Sequence, residues 1–301
     1  MSKQESAAQP VPVPSPKPEA RWRLYGRLMR LNKPIGTLLL LWPTLWALMV
    51  ASAGEPSGYD LFAFSLGTFL MRSAGCVIND YADRNFDKHV ARTKNRPLTA
   101  GLVSGKEALV LFAVLCALAA VLLIPFRGLT WALALVAVFL AVTYPFTKRF
   151  FALPQAYLGI AFGFGIPMAF AEVQGEIPLV AWVMLAANVC WALAYDTEYA
   201  MVDREDDLKI GIKTAAITFG RFDILAVAFF YTATLLLMAL VGELADLDDL
   251  YFLSLMIAGG IACYHLWLIR KRHPEGCFKA FNHNSWFGAV VFVGLCASHW
   301  F

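Results

Sequence analysis

The sequence predicts an all-α fold, a polytopic membrane helical bundle of about nine transmembrane helices with two cytoplasmic cap loops or short helices. Three observations predict it. The 301 residues are 59% hydrophobic with a mean hydropathy of +0.60, and only 16% are charged, against about 25% in a typical soluble protein. Nine apolar segments are long enough to cross a bilayer. The basic residues lie almost entirely on one side of those segments.

The nine apolar segments follow one another from residue 35 to the end of the chain. A helix that crosses a bilayer needs about 20 mainly apolar residues. The fifth segment is rich in Gly and Pro, and the ninth is short. We place the segments at residues 35–53, 61–79, 108–126, 129–147, 155–172, 178–196, 224–242, 250–269 and 284–301.

The first 20 residues differ in composition from the rest of the chain. They are rich in Pro, Ala and Ser and contain no apolar h-region, so we expect a disordered tail rather than a signal peptide. Residues 21–301 are expected to form a single membrane-embedded domain, inserted through its internal helices.

The distribution of charge predicts the orientation. When the connections between segments are assigned alternately to two sides, only Arg127 of the 25 basic residues falls on the second side. Because Lys and Arg are enriched in cytoplasmic loops, we expect a cytoplasmic N-terminus, and the two long loops, 80–107 and 203–223, on the same side. Eight acidic residues fall on the opposite side: Glu55, Asp60, Glu172, Glu176, Glu243, Asp246, Asp248 and Asp249.

The stretch NDYADRNFD, which begins at Asn79, directly follows the second apolar segment. Asp80, Asp83 and Asp87 are spaced i, i+3 and i+7, so they share one face if the helix continues through them. Arg72 lies eight residues before Asp80 and is assigned to the same stripe. The sequence therefore predicts a carboxylate-rich end of the second helix.

The stretch YDTEYAMVDREDD, at the end of the sixth apolar segment, repeats this arrangement. Asp196, Asp203 and Asp207 are spaced i, i+7 and i+11 and again share a face. Carboxylates that face one another need cations between them. Hard oxygen ligands suit Mg²⁺, which proteins usually hold with a few carboxylates and the phosphate oxygens of a substrate. The paired motifs predict a magnesium–diphosphate site.

Basic side chains surround both motifs, and Arg and Lys are the usual partners of phosphate oxygens. One run of charges at a helix end is more often a solvated loop, but the repetition in helical phase favours a binding site. The candidate phosphate partners are Arg72, Arg84, Arg92, Lys94, Arg96, Lys148, Arg149, Arg204, Lys209 and Lys213.

These motifs resemble those of the UbiA-type membrane prenyltransferases, which pair an NDxxDxxxD motif with a DxxxD motif. Five further stretches resemble the 4-hydroxybenzoate polyprenyltransferase branch of that family. They are LNKPIGTLLLLWPTLWAL, NRPLTAG, YPFTKRFFALPQAYLG, GIPMAFA and YDTEYAMVDREDDLKIGIKTAAITFG. The resemblance extends from about residue 22 to the end of the chain.

The resemblance implies a reaction and a metal cofactor. It implies that an all-trans polyprenyl diphosphate binds with its head group between the motifs, where two Mg²⁺ ions stabilise the charge on the departing diphosphate. The ring carbon ortho to the phenol of 4-hydroxybenzoate then attacks, giving 3-polyprenyl-4-hydroxybenzoate, a ubiquinone precursor. The implied metal ligands are Asn79, Asp83, Asp87, Asp203 and Asp207, and the implied catalytic residues are these four aspartates and Asp196.

The resemblance also suggests where the aromatic acid binds. Arg149 is expected to hold its carboxylate, with Lys148 and Tyr144 beside it, and Asp196 to orient the phenol or accept its proton. The alternative for Lys148 and Arg149 is an anchor at the cytoplasmic membrane surface. The complete candidate substrate-binding set is Arg72, Asn79, Asp80, Arg84, Lys94, Arg96, Tyr144, Lys148, Arg149, Tyr195, Lys209 and Lys213.

Two other functions are compatible with these residues. An enzyme of the same family acting on dihydroxynaphthoate, homogentisate or a haem would share the diphosphate site and differ only in its acceptor pocket. A divalent-cation or phosphate transporter would be expected to carry its charges near the bilayer midplane, whereas these charges cluster at one surface.

The expected partners are polyprenyl diphosphate, 4-hydroxybenzoate and membrane lipids, with no nucleic acid. The expected location is a bacterial cytoplasmic (inner) membrane rather than a mitochondrial one, because the N-terminal tail is not an Arg-rich, acid-poor presequence.

Overall fold

The structure, a computed structural model, describes residues 19–85, 87–89, 93–147 and 149–300. Every regular element within these ranges is helical, which confirms the predicted all-α fold. The tail predicted to be disordered lies outside the described residues up to residue 18, and so do Arg92 and Lys148.

Twelve α-helices make up the described part of the chain, with two short 3₁₀ turns at Asp87–His89 and Gly220–Phe222. In chain order the helices are α1 (Arg21–Leu28), α2 (Ile35–Ala51), α3 (Gly58–Asp83), α4 (Gly105–Leu122), α5 (Gly128–Thr147), α6 (Pro154–Gly163), α7 (Gly165–Val173), α8 (Leu179–Ile210), α9 (Ala215–Phe219), α10 (Asp223–Leu244), α11 (Asp249–Ile269) and α12 (Pro274–Trp300).

Seven helical segments in the described ranges are long and apolar enough to cross a membrane, with α6–α7 and α9–α10 each taken as one segment. The apolar helix α2 is shorter than this length criterion. A helix covers most of each of the nine predicted segments, but the predicted count of nine spans is not confirmed.

The predicted Gly- and Pro-rich fifth segment is broken into α6 and α7. Pro167 has no N–H to donate to the carbonyl of Gly163, so one helical hydrogen bond is lost at the break. A Cβ at Gly163 would lie 2.5 Å from Asn188 Nδ2, so a larger residue there would displace the Asn188 amide. Asn188 Nδ2 in turn donates to the Gly159 carbonyl at 2.9 Å. Small residues and interhelical amide bonds of this type hold membrane helices together.

Helices α3 and α8 are longer than a bilayer requires. They contain 26 and 32 residues, and at about 1.5 Å per residue both exceed the roughly 30 Å hydrocarbon core. The surplus at the C-terminal ends carries the aspartate motifs. Helix α8 ends at Gly211, which has a φ of +73° and forms the left-handed C-cap that glycine favours.

A buried polar network anchors α8 to the C-terminal helices. The Tyr231 hydroxyl donates to Glu198 Oε1 at 3.0 Å and contacts His265 Nδ1 at 2.8 Å. Asn284 Nδ2 donates to Glu198 Oε2 at 2.9 Å, and Trp191 Nε1 donates to Asn284 Oδ1 at 2.8 Å. These bonds join α8, α10, α11 and α12 and fix the helix that carries the second motif.

Candidate active site

One cavity of about 500 Å³ opens between the helices and contains both polar motifs. The bulk of its wall is apolar and is contributed by α2, α3, α4, α5, α6, α7 and α8. Polar side chains gather where α3 and α8 end. The cavity therefore has charged side chains at its mouth and an apolar interior.

The first motif contributes Asn79, Asp83 and Asp87 to the cavity wall. Asn79 and Asp83 lie within α3, and Asp87 begins the 3₁₀ turn that follows. Asp80 does not line the cavity and has 0% of its surface exposed. The predicted face therefore holds for Asp83 and not for Asp80.

The geometry of α3 explains the position of Asp80. Successive helical residues are about 100° apart, so a residue seven positions after Arg72 lies closer to its direction than one eight positions after it. The cavity stripe is accordingly Arg72, Cys76, Asn79 and Asp83. Asp80 is turned off this stripe.

The second motif lines the cavity as its spacing predicts. Asp196, Asp203 and Asp207 all lie within the continuous helix α8 and all contribute to the wall. Two motifs about 120 residues apart in the sequence thus face the same cavity.

Arg96 links two aspartates of the first motif. Its Nη1 lies 3.0 Å from Asp80 Oδ1 and 2.7 Å from Asp87 Oδ2. Arg30, from the segment after α1, brings Nη2 to 2.7 Å from the same Asp80 oxygen. Both arginines line the cavity. Two guanidinium groups therefore sit at its mouth, held by a carboxylate that is itself outside it.

The carboxyl of Asp87 lies in an environment that disfavours its charge. Burial raises its pKa above the ordinary value, the nearby carboxyls of Asp80 and Asp83 raise it further, and Arg96 opposes this shift. Arg96 is therefore the main group that favours the ionised form of Asp87.

The remaining predicted cations divide into two groups. Arg72 and Lys213 line the cavity. Arg72 Nη1 donates to the Met29 carbonyl at 2.9 Å, and Lys213 Nζ to the Phe150 carbonyl at 3.1 Å. Each cation is thus fixed at the wall by a backbone oxygen.

The other predicted cations that the structure describes do not line the cavity. Lys94 is exposed, Arg84 stacks on Tyr81 at 4.3 Å and Lys209 pairs with Asp206 at 3.3 Å. Arg204, also a candidate phosphate partner, instead donates to Asp223. Arg149 is exposed and donates to the Ala82 carbonyl at 3.3 Å, close to the end of α3.

The comparison with known protein families identifies the chain's family. The profile of the UbiA prenyltransferase family matches residues 40–287. The chain belongs to this family. Because seven helical segments are also long and apolar enough to span a membrane, the protein is a multi-pass membrane prenyltransferase, and the family resemblance noted in the sequence is confirmed.

Related proteins of this family agree with the assignment. The chain is 64% identical over 275 residues to the 4-hydroxybenzoate octaprenyltransferase of Thiobacillus denitrificans, which covers 91% of this chain and 94% of the relative. Its fold is similar to that of the apo UbiA homologue from Aeropyrum pernix, with a TM-score of 0.75, 22% identity and coverage of 86% and 97%. It is also similar to the UbiA homologue from Archaeoglobus fulgidus bound to GPP and Mg²⁺, with a TM-score of 0.67, 19% identity and coverage of 90% and 99%.

The donor atoms of the two motifs fit a hard divalent cation. The five predicted metal ligands, Asn79, Asp83, Asp87, Asp203 and Asp207, all line the cavity and offer carboxylate or amide oxygens, the ligands that Mg²⁺ prefers. Within the described ranges, no group of three or more His, Cys, Asp or Glu side chains is close enough to hold a metal ion. Because Mg²⁺ commonly completes its shell with water and substrate phosphates, the donor set fits a metal that binds together with a diphosphate.

Aromatic hydroxyls line the cavity beside the second motif. Tyr144, Tyr195 and Tyr199 all contribute to the wall near Asp196. Tyr195 is 1% exposed, and its hydroxyl has no hydrogen-bond partner among the residues that the structure describes. A buried hydroxyl without a partner is costly, which suggests that a ligand completes this hydrogen bond.

Several cavity residues were not predicted as site residues from the sequence. Examples with polar side chains are Arg30, Thr93, Gln155 and Tyr199. Arg30 was counted only among the basic residues that set the orientation. Its contact with Asp80 joins residues 50 positions apart, and no local spacing indicates such a contact.

Proposed function

We propose that the protein transfers an all-trans polyprenyl group from polyprenyl diphosphate to 4-hydroxybenzoate. The observation that carries the proposal is the shared cavity, in which both aspartate motifs face one chamber whose interior is apolar. The close relative from Thiobacillus denitrificans supports both substrates by its name, and octaprenyl diphosphate is accordingly the first donor to test.

The diphosphate would bind at the charged mouth of the cavity. Arg30, Arg72, Arg96 and Lys213 supply positive charge there, and guanidinium groups pair well with phosphate oxygens. Asn79, Asp83, Asp87, Asp203 and Asp207 would hold two Mg²⁺ ions. When bound, Mg²⁺ supplies positive charge that favours departure of the diphosphate.

The apolar interior would receive the prenyl chain and exclude water. Its wall includes Leu39, Phe64, Leu123, Phe126 and Met168. The bond between the allylic carbon and the diphosphate oxygen breaks, and water must not reach the electron-deficient carbon. The wall thus protects the allylic carbon until the acceptor attacks.

The acceptor would lie beside the second motif. Its ring carbon ortho to the phenol forms the new carbon–carbon bond, and the ring then loses the proton from that carbon. Asp196 is placed to orient the phenol or accept a proton, and Tyr144 and Tyr195 line the same wall. Arg149, at the surface near the end of α3, is proposed to attract the carboxylate.

The proposed location is a bacterial cytoplasmic membrane, with the N-terminus and the cavity mouth on the cytoplasmic side. The strong segregation of basic residues supports this orientation. Residues 21–301 are proposed to act as one membrane-embedded domain.

A product assay tests the proposal. Purified protein in detergent is incubated with octaprenyl diphosphate, Mg²⁺ and 4-hydroxybenzoate, and the lipid-soluble product is identified by mass spectrometry. We expect 3-octaprenyl-4-hydroxybenzoate, and no product in the presence of a chelator. Parallel reactions with dihydroxynaphthoate and homogentisate test the acceptor. Product with either of these, and none with 4-hydroxybenzoate, would contradict the proposed substrate.

A further inference from the structure

Arg96 forms ion pairs with two aspartates, only one of which lines the cavity. Its Nη1 contacts both Asp80 Oδ1 and Asp87 Oδ2. Asp87 and Arg96 line the cavity and Asp80 does not. A ligand in the cavity can therefore reach Arg96 and Asp87 but not the carboxylate that anchors Arg96.

We propose that Arg96 is the internal counter-ion of Asp87 and is exchanged for the incoming diphosphate, while Asp80 keeps its guanidinium at the cavity mouth. This inference rests on the proposed function and adds an order of events to it. Diphosphate attracts Arg96 away from Asp87, and Asp87 then becomes available to a divalent cation. Asp80 acts here as a positioning residue.

The charges of the cluster support this exchange. Arg30, Asp80 and Arg96 together carry one net positive charge, which the carboxylate of Asp87 balances at close range. A diphosphate carries more negative charge than one carboxylate, and charge-assisted bonds from guanidinium to phosphate are strong and are often bidentate. The diphosphate is therefore the stronger competitor for Arg96.

Asp80 has a second carboxylate oxygen that can accept a hydrogen bond when Arg96 moves. Asp80 Oδ2 is buried and has no hydrogen-bond partner within the described ranges, because both guanidinium groups bond to Oδ1. Arg96 can therefore rotate towards a ligand and keep a bond to one oxygen or the other of Asp80. Arg30 keeps its own bond to Asp80 Oδ1 while Arg96 rotates.

The carboxylates alone do not complete a metal site. No group of three or more acidic, His or Cys side chains in the described part of the chain is close enough to hold a metal ion. Phosphate oxygens of the ligand would therefore complete the ligand set, as they commonly do for Mg²⁺. The inference predicts that metal and diphosphate bind cooperatively and that Arg96 carries much of the coupling.

Metal binding without turnover tests this inference. The affinity for Mn²⁺, which takes the same hard oxygen ligands as Mg²⁺, is measured by electron paramagnetic resonance on the full-length protein in detergent, with and without inorganic pyrophosphate. In the unmodified protein we expect pyrophosphate to tighten Mn²⁺ binding. Arg96→Gln frees Asp87, so Mn²⁺ alone should bind about 10-fold more tightly while most of the tightening by pyrophosphate is lost.

Two variants separate positioning from a structural role. Asp80→Asn keeps the size of the side chain and should reduce the pyrophosphate effect in the same direction as Arg96→Gln, but by less, because Arg96 is still present. Lys106→Gln removes one positive charge from an exposed position at the same end of the bundle and should leave the coupling unchanged. Thermal unfolding in detergent confirms that each variant is folded, and Asp80→Asn supplies the measurement if Arg96→Gln is not.

The outcomes are distinct. An Arg96→Gln protein whose Mn²⁺ affinity without pyrophosphate is unchanged or weaker would overturn the exchange, as would full retention of the coupling in both variants. The assay requires no acceptor, so it does not depend on prenyl transfer. Absence of prenylated product with every acceptor, together with normal Mn²⁺–pyrophosphate coupling, would overturn the proposed function and leave the exchange standing.

Discussion

Arg204 Nη1 lies 2.9 Å from Asp223 Oδ2, and this contact ties the second aspartate motif to the start of α10. Asp223 is fully buried and also binds Arg272, at 2.7 Å. The arrangement parallels that of Asp80, which likewise holds two arginines. The two arginines that bind Asp80, Arg30 and Arg96, line the cavity, whereas Arg204 does not. Asp223 therefore stabilises the fold and does not position a group for the ligand.

This parallel predicts that Asp223→Asn destabilises the protein without altering its chemistry. Loss of the carboxylate leaves Arg204 and Arg272 without their shared anion, and we expect a loss of about 1–3 kcal/mol because both arginines remain partly exposed. The thermal midpoint in detergent should fall by roughly 2–10 °C, with an unchanged KM for the donor. Asp206→Asn, which removes a surface pair, should change the midpoint very little. A donor KM raised in Asp223→Asn alone would show that Arg204 contributes to the site.

Both aspartate motifs are predicted to be necessary for turnover. Asp203→Asn or Asp83→Asn removes a charged oxygen ligand from the cavity wall, so turnover should fall below detection at any practical Mg²⁺ concentration while the protein still inserts and folds. Product formation and the thermal midpoint are measured together. Asp246→Asn makes the same chemical change in the connection between α10 and α11 and should keep full activity. Near-normal turnover in either motif variant would remove that aspartate from the proposed site.

The sequence predicts the second motif better than the first. Helix α8 continues without interruption through Asp196, Asp203 and Asp207, so helical spacing alone places all three on the cavity. Helix α3 ends at Asp83, and Asp87 reaches the cavity only through the turn that follows. A spacing argument assumes a continuous helix and so has no means of placing Asp87.

The long-range ion pairs show where prediction from the sequence stops. Both motifs contain the pattern D-R-x-x-D, in which Arg84 follows Asp83 and Arg204 follows Asp203, and neither arginine lines the cavity. Arg30 and Arg96 belong to no such pattern and do line it. Their positions depend on how α1 and the 93–104 segment pack against α3, which a local pattern does not contain.

The proposed orientation predicts the result of reporter fusions. A reporter joined after Arg96 or after Lys213 should be cytoplasmic, because both positions lie at the cavity mouth beside the basic loops. A reporter joined after Asp248, between α10 and α11, should be periplasmic. Paired reporters that are active on opposite sides of the membrane provide the control at each position. A periplasmic signal after Arg96 would contradict both the orientation and a cytoplasmic active site.

Arg149 is predicted to bind the carboxylate of the acceptor. A charge-assisted contact of this kind contributes about 1.5–3 kcal/mol, so Arg149→Ala should raise the acceptor KM roughly 10- to 150-fold with a much smaller change in the donor KM. Arg149→Lys should recover only part of the loss, because an ammonium group does not reproduce the planar fork. An unchanged acceptor KM would leave Arg149 as a surface anchor at the end of α3, and a raised donor KM would instead place it with the diphosphate-binding cations.

Removal of the Tyr195 hydroxyl is predicted to weaken acceptor binding without lowering the stability of the protein. Tyr195 lines the cavity, and its buried hydroxyl has no partner among the described residues, so we expect the hydroxyl to bind the acceptor. Tyr195→Phe removes that one hydrogen bond and keeps the ring, which should raise the acceptor KM by about 2- to 12-fold. The thermal midpoint of the free protein should stay the same or rise, since an unsatisfied polar group is lost from the interior. Tyr231→Phe is the matched control, because the Tyr231 hydroxyl lies within hydrogen-bond distance of Glu198, His265 and Asn284. This variant should lower the midpoint and leave the acceptor KM unchanged. A lower midpoint in Tyr195→Phe with an unaltered acceptor KM would contradict the assignment and show that the hydroxyl stabilises the fold instead.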